Sequence, residues 1–225
     1  MERAIANPMP VPVGTMLWLA AIALGAATLP RQLPLLATAF PLTGDVAADF
    51  AARAMRSGLS RLIVADRLVP SPTLLIAAVL TAVAADPVLV LARERRAALW
   101  SMILLGLAPL VLLRVGELAL TWLASLPAGA PPGEIIALPH KFRTGPALLW
   151  RQDGTPPVWL ERLDATVNAV SLWSLALWSI GLARLDGRPR LAPWHIGLPA
   201  VCLAGGAIVT WVLAPTVLAA VLGTP

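Results

Sequence analysis

Val170 to Arg190 reads VSLWSLALWSIGLARLDGRPR, apolar until Ala183 and then basic at Arg184, Arg188 and Arg190. The apolar part does not alternate, so it reads as a helix rather than a strand. Its length approaches that needed to cross a hydrocarbon core, and the arginines form a positive stop. Ser171, Ser174, Trp178 and Gly181 recur at intervals of three and four. Mostly small or hydroxyl side chains on one helix face let another backbone approach closely, which substitutes for the hydrophobic drive that lipid cannot supply. The segment is therefore expected to be a packing surface with a basic end.

The rest of the chain has the same character. Of 225 residues, 58% are hydrophobic and 13% charged, and the mean hydropathy is +0.80, outside the balance of a soluble domain. Backbone groups in hydrocarbon must pair internally, so long Leu/Ala-rich runs imply helices. The expected fold is an all-α polytopic bundle over residues 1–225, a single integral membrane domain. Its transmembrane helices are placed at about 15–29, 71–92, 97–126, 165–183 and 196–222, with an interfacial helix at about 44–69. On the last helix Ala200, Ala204, Ala207, Trp211 and Ala214 form a second small-residue seam.

At the N-terminus, ALGAA at Ala23 to Ala27 imitates a signal-cleavage region, but a basic stretch before it is nearly missing. The first run is therefore read as a membrane helix ended by Pro30 and Arg31. The formal charge of +5 lies between the apolar runs rather than in one block, which fits anionic lipid head groups and not nucleic acid. Nine tryptophans recur near run ends, where an amphipathic ring prefers the head-group zone. The single Cys202 excludes a disulfide framework.

Gly44 to Pro70 differs from the apolar runs. Asp49, Arg53, Arg56, Ser60 and Arg67 share one helical face, with Ala48, Ala52, Met55, Leu59 and Leu62 largely opposite. This helix either lies in the interface and recruits something, with Arg53, Arg56 and Arg61 on lipid phosphate, or merely caps the bundle. Basic residues packed into the short loops at Arg93 to Arg96 and at Arg184 to Arg190 place those loops, and the N-terminus, on the cytoplasmic side. An Arg/Ala/Pro-rich chain with one lysine suggests a GC-rich bacterial genome, and the expected location is a bacterial cytoplasmic (inner) membrane.

Three ionisable residues fall inside the spans, the default place to look for function: Asp86, Arg114 and Glu117. Arg114 and Glu117 are three apart and can pair. Arg114 follows the RERR surface by about 25 Å of helix, so the pair is expected to snorkel at the opposite interface. Asp86 either joins a transport pathway or stays neutral and hydrogen-bonds a neighbouring helix. No zinc motif, nucleophile elbow or phosphate loop is present, so no enzymatic activity and no metal site are expected. His140 lies in the Pro/Gly-rich connector; His195, beside Trp194, is solvated, contacts a lipid phosphate, or serves as an axial ligand to a porphyrin metal.

Leu163, Asp164, Trp173 and Gly181 form a Leu-Asp pair, a following Trp and a helix-closing Gly, and Arg95 and Arg96 lead into a helix containing Pro109. In these features roughly the last 130 residues resemble bacterial Yip1-family membrane proteins. The resemblance implies five helices, a cytoplasmic N-terminus and no catalysis. The acidic, tyrosine-containing motif of eukaryotic members has no counterpart here. The functions this leaves are three: a non-catalytic protein packing against membrane partners or lipids; an accessory subunit of a photosynthetic or respiratory complex, with lipid, quinone or pigment at its surface; or a small transporter using Asp86.

Overall fold

A computed structural model describes residues 11–69, 71–89, 93–126, 130–138, 144–146 and 157–222. His140, Lys141, Arg143, Arg151 and the ALLWRQ piece lie outside them. All regular structure among the described residues is helical: α1 (Val11–Ala26), α2 (Leu29–Ala39), α3 (Val46–Leu68), α4 (Pro72–Leu89), α5 (Arg93–Leu105), α6 (Pro109–Leu123), α7 (Pro132–Ala137), α8 (Val158–Thr166), α9 (Ala169–Leu185) and α10 (Pro193–Leu222). Five helical stretches are long and apolar enough to cross a membrane, at Val13–Ala39, Pro72–Leu89, Arg96–Leu123, Trp159–Leu185 and Pro193–Thr216. The chain is thus an all-α bundle with the make-up of a multi-pass membrane protein.

The helix boundaries follow local chemistry that apolar run length alone does not reveal. The first span does not end at Pro30 and Arg31 but restarts there. Proline is tolerated in a helix's first turn, where its missing N–H has no partner to lose. Thr28 bridges the break: its hydroxyl donates to the Gly25 carbonyl, and its own carbonyl accepts from the Arg31 and Gln32 N–H groups. The span Arg96–Leu123 likewise breaks at Gly106, where tight i→i−3 bonds from Leu107 and Ala108 precede Pro109.

Asn168 restarts the fourth span. Its side chain accepts from the Ser171 N–H, and the Ser171 hydroxyl accepts from the Asn168 N–H, a reciprocal capping box. Asn168→Ala is expected to destabilise the protein by about 1 kcal/mol, while Asn168→Ser retains most of the cap. Chemical unfolding in detergent measures both.

The chain divides into two compact units. In the first, Met1–Ala20, Ser71–Leu112 and Arg143–Thr210, α5 packs along both α4 and α9. Trp178 on α9 is fully buried, its indole N–H donating to the Ile103 carbonyl, and it lies over Gly106. Gly181 seats the Met102 side chain. On α10 Gly206 lies against the Thr73 carbonyl and Ala77 of α4, and Thr73 donates to the Thr210 hydroxyl at 3.3 Å. In the second unit, Ala21–Pro70, Leu113–Phe142 and Trp211–Pro225, α2 packs against α3 and the short α7. Gln32, fully buried, donates to the Ile135 carbonyl.

Candidate functional site

Among the described residues the densest ionisable cluster lies in the second unit. Arg67, near the end of α3, is 1% exposed. One of its nitrogens is 2.9 Å from the Asp66 carboxylate and the other 3.3 Å from Glu117 on α6. Arg114, one turn before Glu117, pairs with the same Glu117 oxygen and donates to the Asp66 carbonyl at 3.1 Å. Two guanidinium and two carboxylate groups balance in charge. Only this balance makes burial tolerable, because an unpaired ion away from water costs several kcal/mol.

The backbone around the cluster is fitted to it. Gly25 of α1 lies directly against the Arg67 carbonyl, where any Cβ would overlap the oxygen. Burial pushes the Arg67 guanidinium below its ordinary value; Asp66, then Glu117, hold it up, and Arg114 adds to the lowering. Chemically, the cluster is a three-helix clamp.

Here the structure departs from the expectation of snorkelling. Arg114 and Glu117 are 4% and 5% exposed; they turn inward because α3 offers complementary charges that lie about fifty residues away in sequence. Arg67 was expected on the polar outer face of the amphipathic helix and instead lies on its inner one, the most buried residue of that face together with Ile63. Arg53 and Arg61 are exposed. Arg56 is half-buried and donates to the Ala37 and Phe40 carbonyls, so it closes the C-terminal end of α2 rather than standing free for lipid phosphate. Met55, placed with the apolar set, is 60% exposed, as are Val46 and Phe50 to larger extents.

Asp86 meets the neighbouring helix α5 through a charged side chain. Its carboxylate pairs at 2.9 Å with Arg96 at the start of α5, and both side chains retain exposure. The short link between α4 and α5 brings them together.

His195 is fully buried, not solvated. Its Nδ1 accepts from the Ala192 N–H at 2.8 Å, and Nε2 lies 3.1 Å from Asp186, which also pairs with Arg188. Accepting at Nδ1 puts the ring proton on Nε2, directed at Asp186. The imidazole thus reaches back to cap the first turn of α10, and both ring nitrogens are engaged; axial ligation to a porphyrin would have to break one of these bonds. Among the described residues no group of three or more His, Cys, Asp or Glu is arranged to hold a metal.

The seams are placed unequally. Ser171, Ser174 and Trp178 are buried, with Gly181 against Met102. On α10 the inward row is Cys202, Leu203, Gly206 and Ala207; Ala200 is half-buried, and Ala204 and Trp211 face outward. The helix phase is set by Gly206, where the backbones of α10 and α4 meet, and Ala204 lies two residues, about 200°, around the helix from it. Arg67, Gln32 and Thr28 are buried polar groups outside the sequence-derived set. The one signal for them was Gly25, a small residue in an apolar run where a second backbone approaches.

No protein-family model, no curated protein and no solved structure matches the chain.

Proposed function

We propose that this chain is a non-catalytic multi-pass protein of a bacterial inner membrane, with a cytoplasmic N-terminus, that works by packing its helices against membrane partners or lipids. The observation that carries this reading is where the polar groups go. Asp86 is taken up by Arg96, and Glu117 by Arg67 and Arg114. The outward faces carry large apolar side chains such as Leu172, Trp173, Val201, Ile208 and Val212. Such faces suit contact with acyl chains or with other transmembrane helices. The Yip1-like character belongs to the same proposal and rests on Leu163, Asp164, Trp173 and Gly181.

A second reading, an accessory subunit of a large energy-converting complex, draws support from the outward position of Trp100, Trp122, Trp159, Trp173 and Trp211. Rigid amphipathic rings at a surface suit contact with a neighbouring subunit, quinone or pigment. Purification in a gentle detergent separates the two: co-purifying pigment or a large stoichiometric assembly supports the subunit role, and a lone protein with bound lipid supports the first reading. In reconstituted liposomes no ion or metabolite flux is expected. Flux that Asp86→Asn abolishes would replace both readings with a transporter.

A further inference from the structure

Arg31 is a half-buried arginine of the second unit. Its NH2 donates to the Ala124 carbonyl at 2.7 Å, and its guanidinium carbon lies 5.7 Å from the centre of the Trp122 ring. Its Nε is buried without an acceptor, and among the described residues no carboxylate pairs with it. A groove of about 400 Å³ opens beside it, lined by Pro30, Arg31, Pro34, Leu35 and Trp122.

We propose that this groove holds one membrane phospholipid, its phosphate paired with Arg31 and an acyl chain laid along Pro34 and Leu35 beside the Trp122 ring. Three features commit the groove to that occupant. Among the described lining residues Arg31 is the one that is ionisable, so the complementary group is a single anion. Every other lining residue is apolar or aromatic, which suits an amphiphile and not a free polar anion. The site also lies at the end of one span: Trp122 is the penultimate residue of Arg96–Leu123, and Arg31, where the longer stretch Val13–Ala39 breaks and restarts, reaches the carbonyl just beyond that end. There the bilayer presents phosphate.

The walls are pre-formed. The Trp122 indole N–H is held by the Ala27 carbonyl at 3.3 Å, in the break between α1 and α2. Pro30 and Pro34, one turn apart, have no N–H to expose to lipid. The Ala124 carbonyl and the Trp122 face orient the guanidinium and leave its remaining donors for phosphate.

The test uses the whole protein, purified in mild detergent and titrated by native mass spectrometry with a phosphatidylglycerol, with a diacylglycerol of the same chains, and with inorganic phosphate. The wild type should retain one phosphatidylglycerol, and Arg31→Gln should weaken that binding roughly five-fold, the worth of one cation near an anionic surface. Diacylglycerol should bind both proteins alike, and Arg53→Gln should change nothing. Leu35→Glu guards against misfolding: an acid one turn from Arg31 offers it an internal partner, so the fold should survive while phosphatidylglycerol is lost.

Equal phosphatidylglycerol affinity in the wild type, Arg31→Gln and Leu35→Glu would overturn the proposal. So would full competition by inorganic phosphate alone, or a protein partner whose acidic side chain cross-links to Arg31. The inference needs only that the helices sit in a bilayer. Loss of lipid in Arg31→Gln with unchanged co-purification would leave the partner reading untouched.

Discussion

Glu117→Ala is expected to destabilise the protein by about 3–5 kcal/mol, the usual cost of removing one member of a buried ion pair. The size follows from what is left behind. Glu117 neutralises both Arg67 and Arg114 through one oxygen; without it two guanidinium groups face each other with only the Asp66 carboxylate, which already pairs with Arg67. Like charges in a weakly screened site repel, and Arg67 and Arg114 are both buried. The predicted result is a large fall in the thermal midpoint of the detergent-solubilised protein.

A second variant separates charge from packing. Changing Arg67 to Met, Arg114 to Met and Glu117 to Leu together removes the three buried members and leaves only the part-exposed Asp66 carboxylate, and should cost far less than Glu117→Ala alone, since apolar replacements of similar volume are often neutral. If the triple variant is as unstable as the single one, the cluster matters through its contacts to the Asp66 carbonyl and to the Gly25 crossing, not through its charges.

Much of the architecture was legible in the sequence because the bilayer imposes a length and an apolar composition on each crossing. Val170 to Ala183 announces itself by both. What run length could not supply was the rotation of each helix. Arg67 shares a helical face with Arg53 on a projection, yet it points inward, because the partner that makes burial tolerable comes from α6. Arg114 and Glu117 were legible as a pair, while their third and fourth members required knowing that α3 lies against α6. The α10 seam was legible at Ala207, which is buried, but not at Ala204, for a related reason: Ala204 and Gly206 are both small, and only the approach of the α4 backbone at Thr73 selects Gly206. His195 was read from its neighbour Trp194, whereas its position is fixed by the Ala192 N–H and Asp186, a local cap that an isolated histidine does not advertise. The breaks at Thr28, Gly106 and Asn168 were written in the sequence as Thr-Leu-Pro, Gly followed by Pro109, and Asn three residues before Ser171, but an apolar window averages over all of them.

Trp178→Ala should be the most damaging single change in the first unit. The indole is fully buried between α9 and α5, its N–H is spent on the Ile103 carbonyl at 2.9 Å, and its edge fills the space that Gly106 leaves without a side chain. In a water-soluble protein such a truncation costs about 3–5 kcal/mol, part transfer from water and part cavity. In a bilayer the transfer part shrinks, because lipid tails are as apolar as the protein interior; the cavity and the Ile103 carbonyl left without its donor remain, which places the expected cost at about 3 kcal/mol. Gly106 provides the complementary measurement. A Cβ there would overlap the Trp178 ring, which is rigid and cannot retreat, so Gly106→Ala should destabilise the wild type by about 1–3 kcal/mol through overpacking. In the Trp178→Ala background the same methyl enters an empty space, and its cost should fall to near zero or change sign. A double-mutant cycle by unfolding in detergent reads this coupling directly. Additive costs would mean that α5 and α9 do not meet through Gly106 and Trp178.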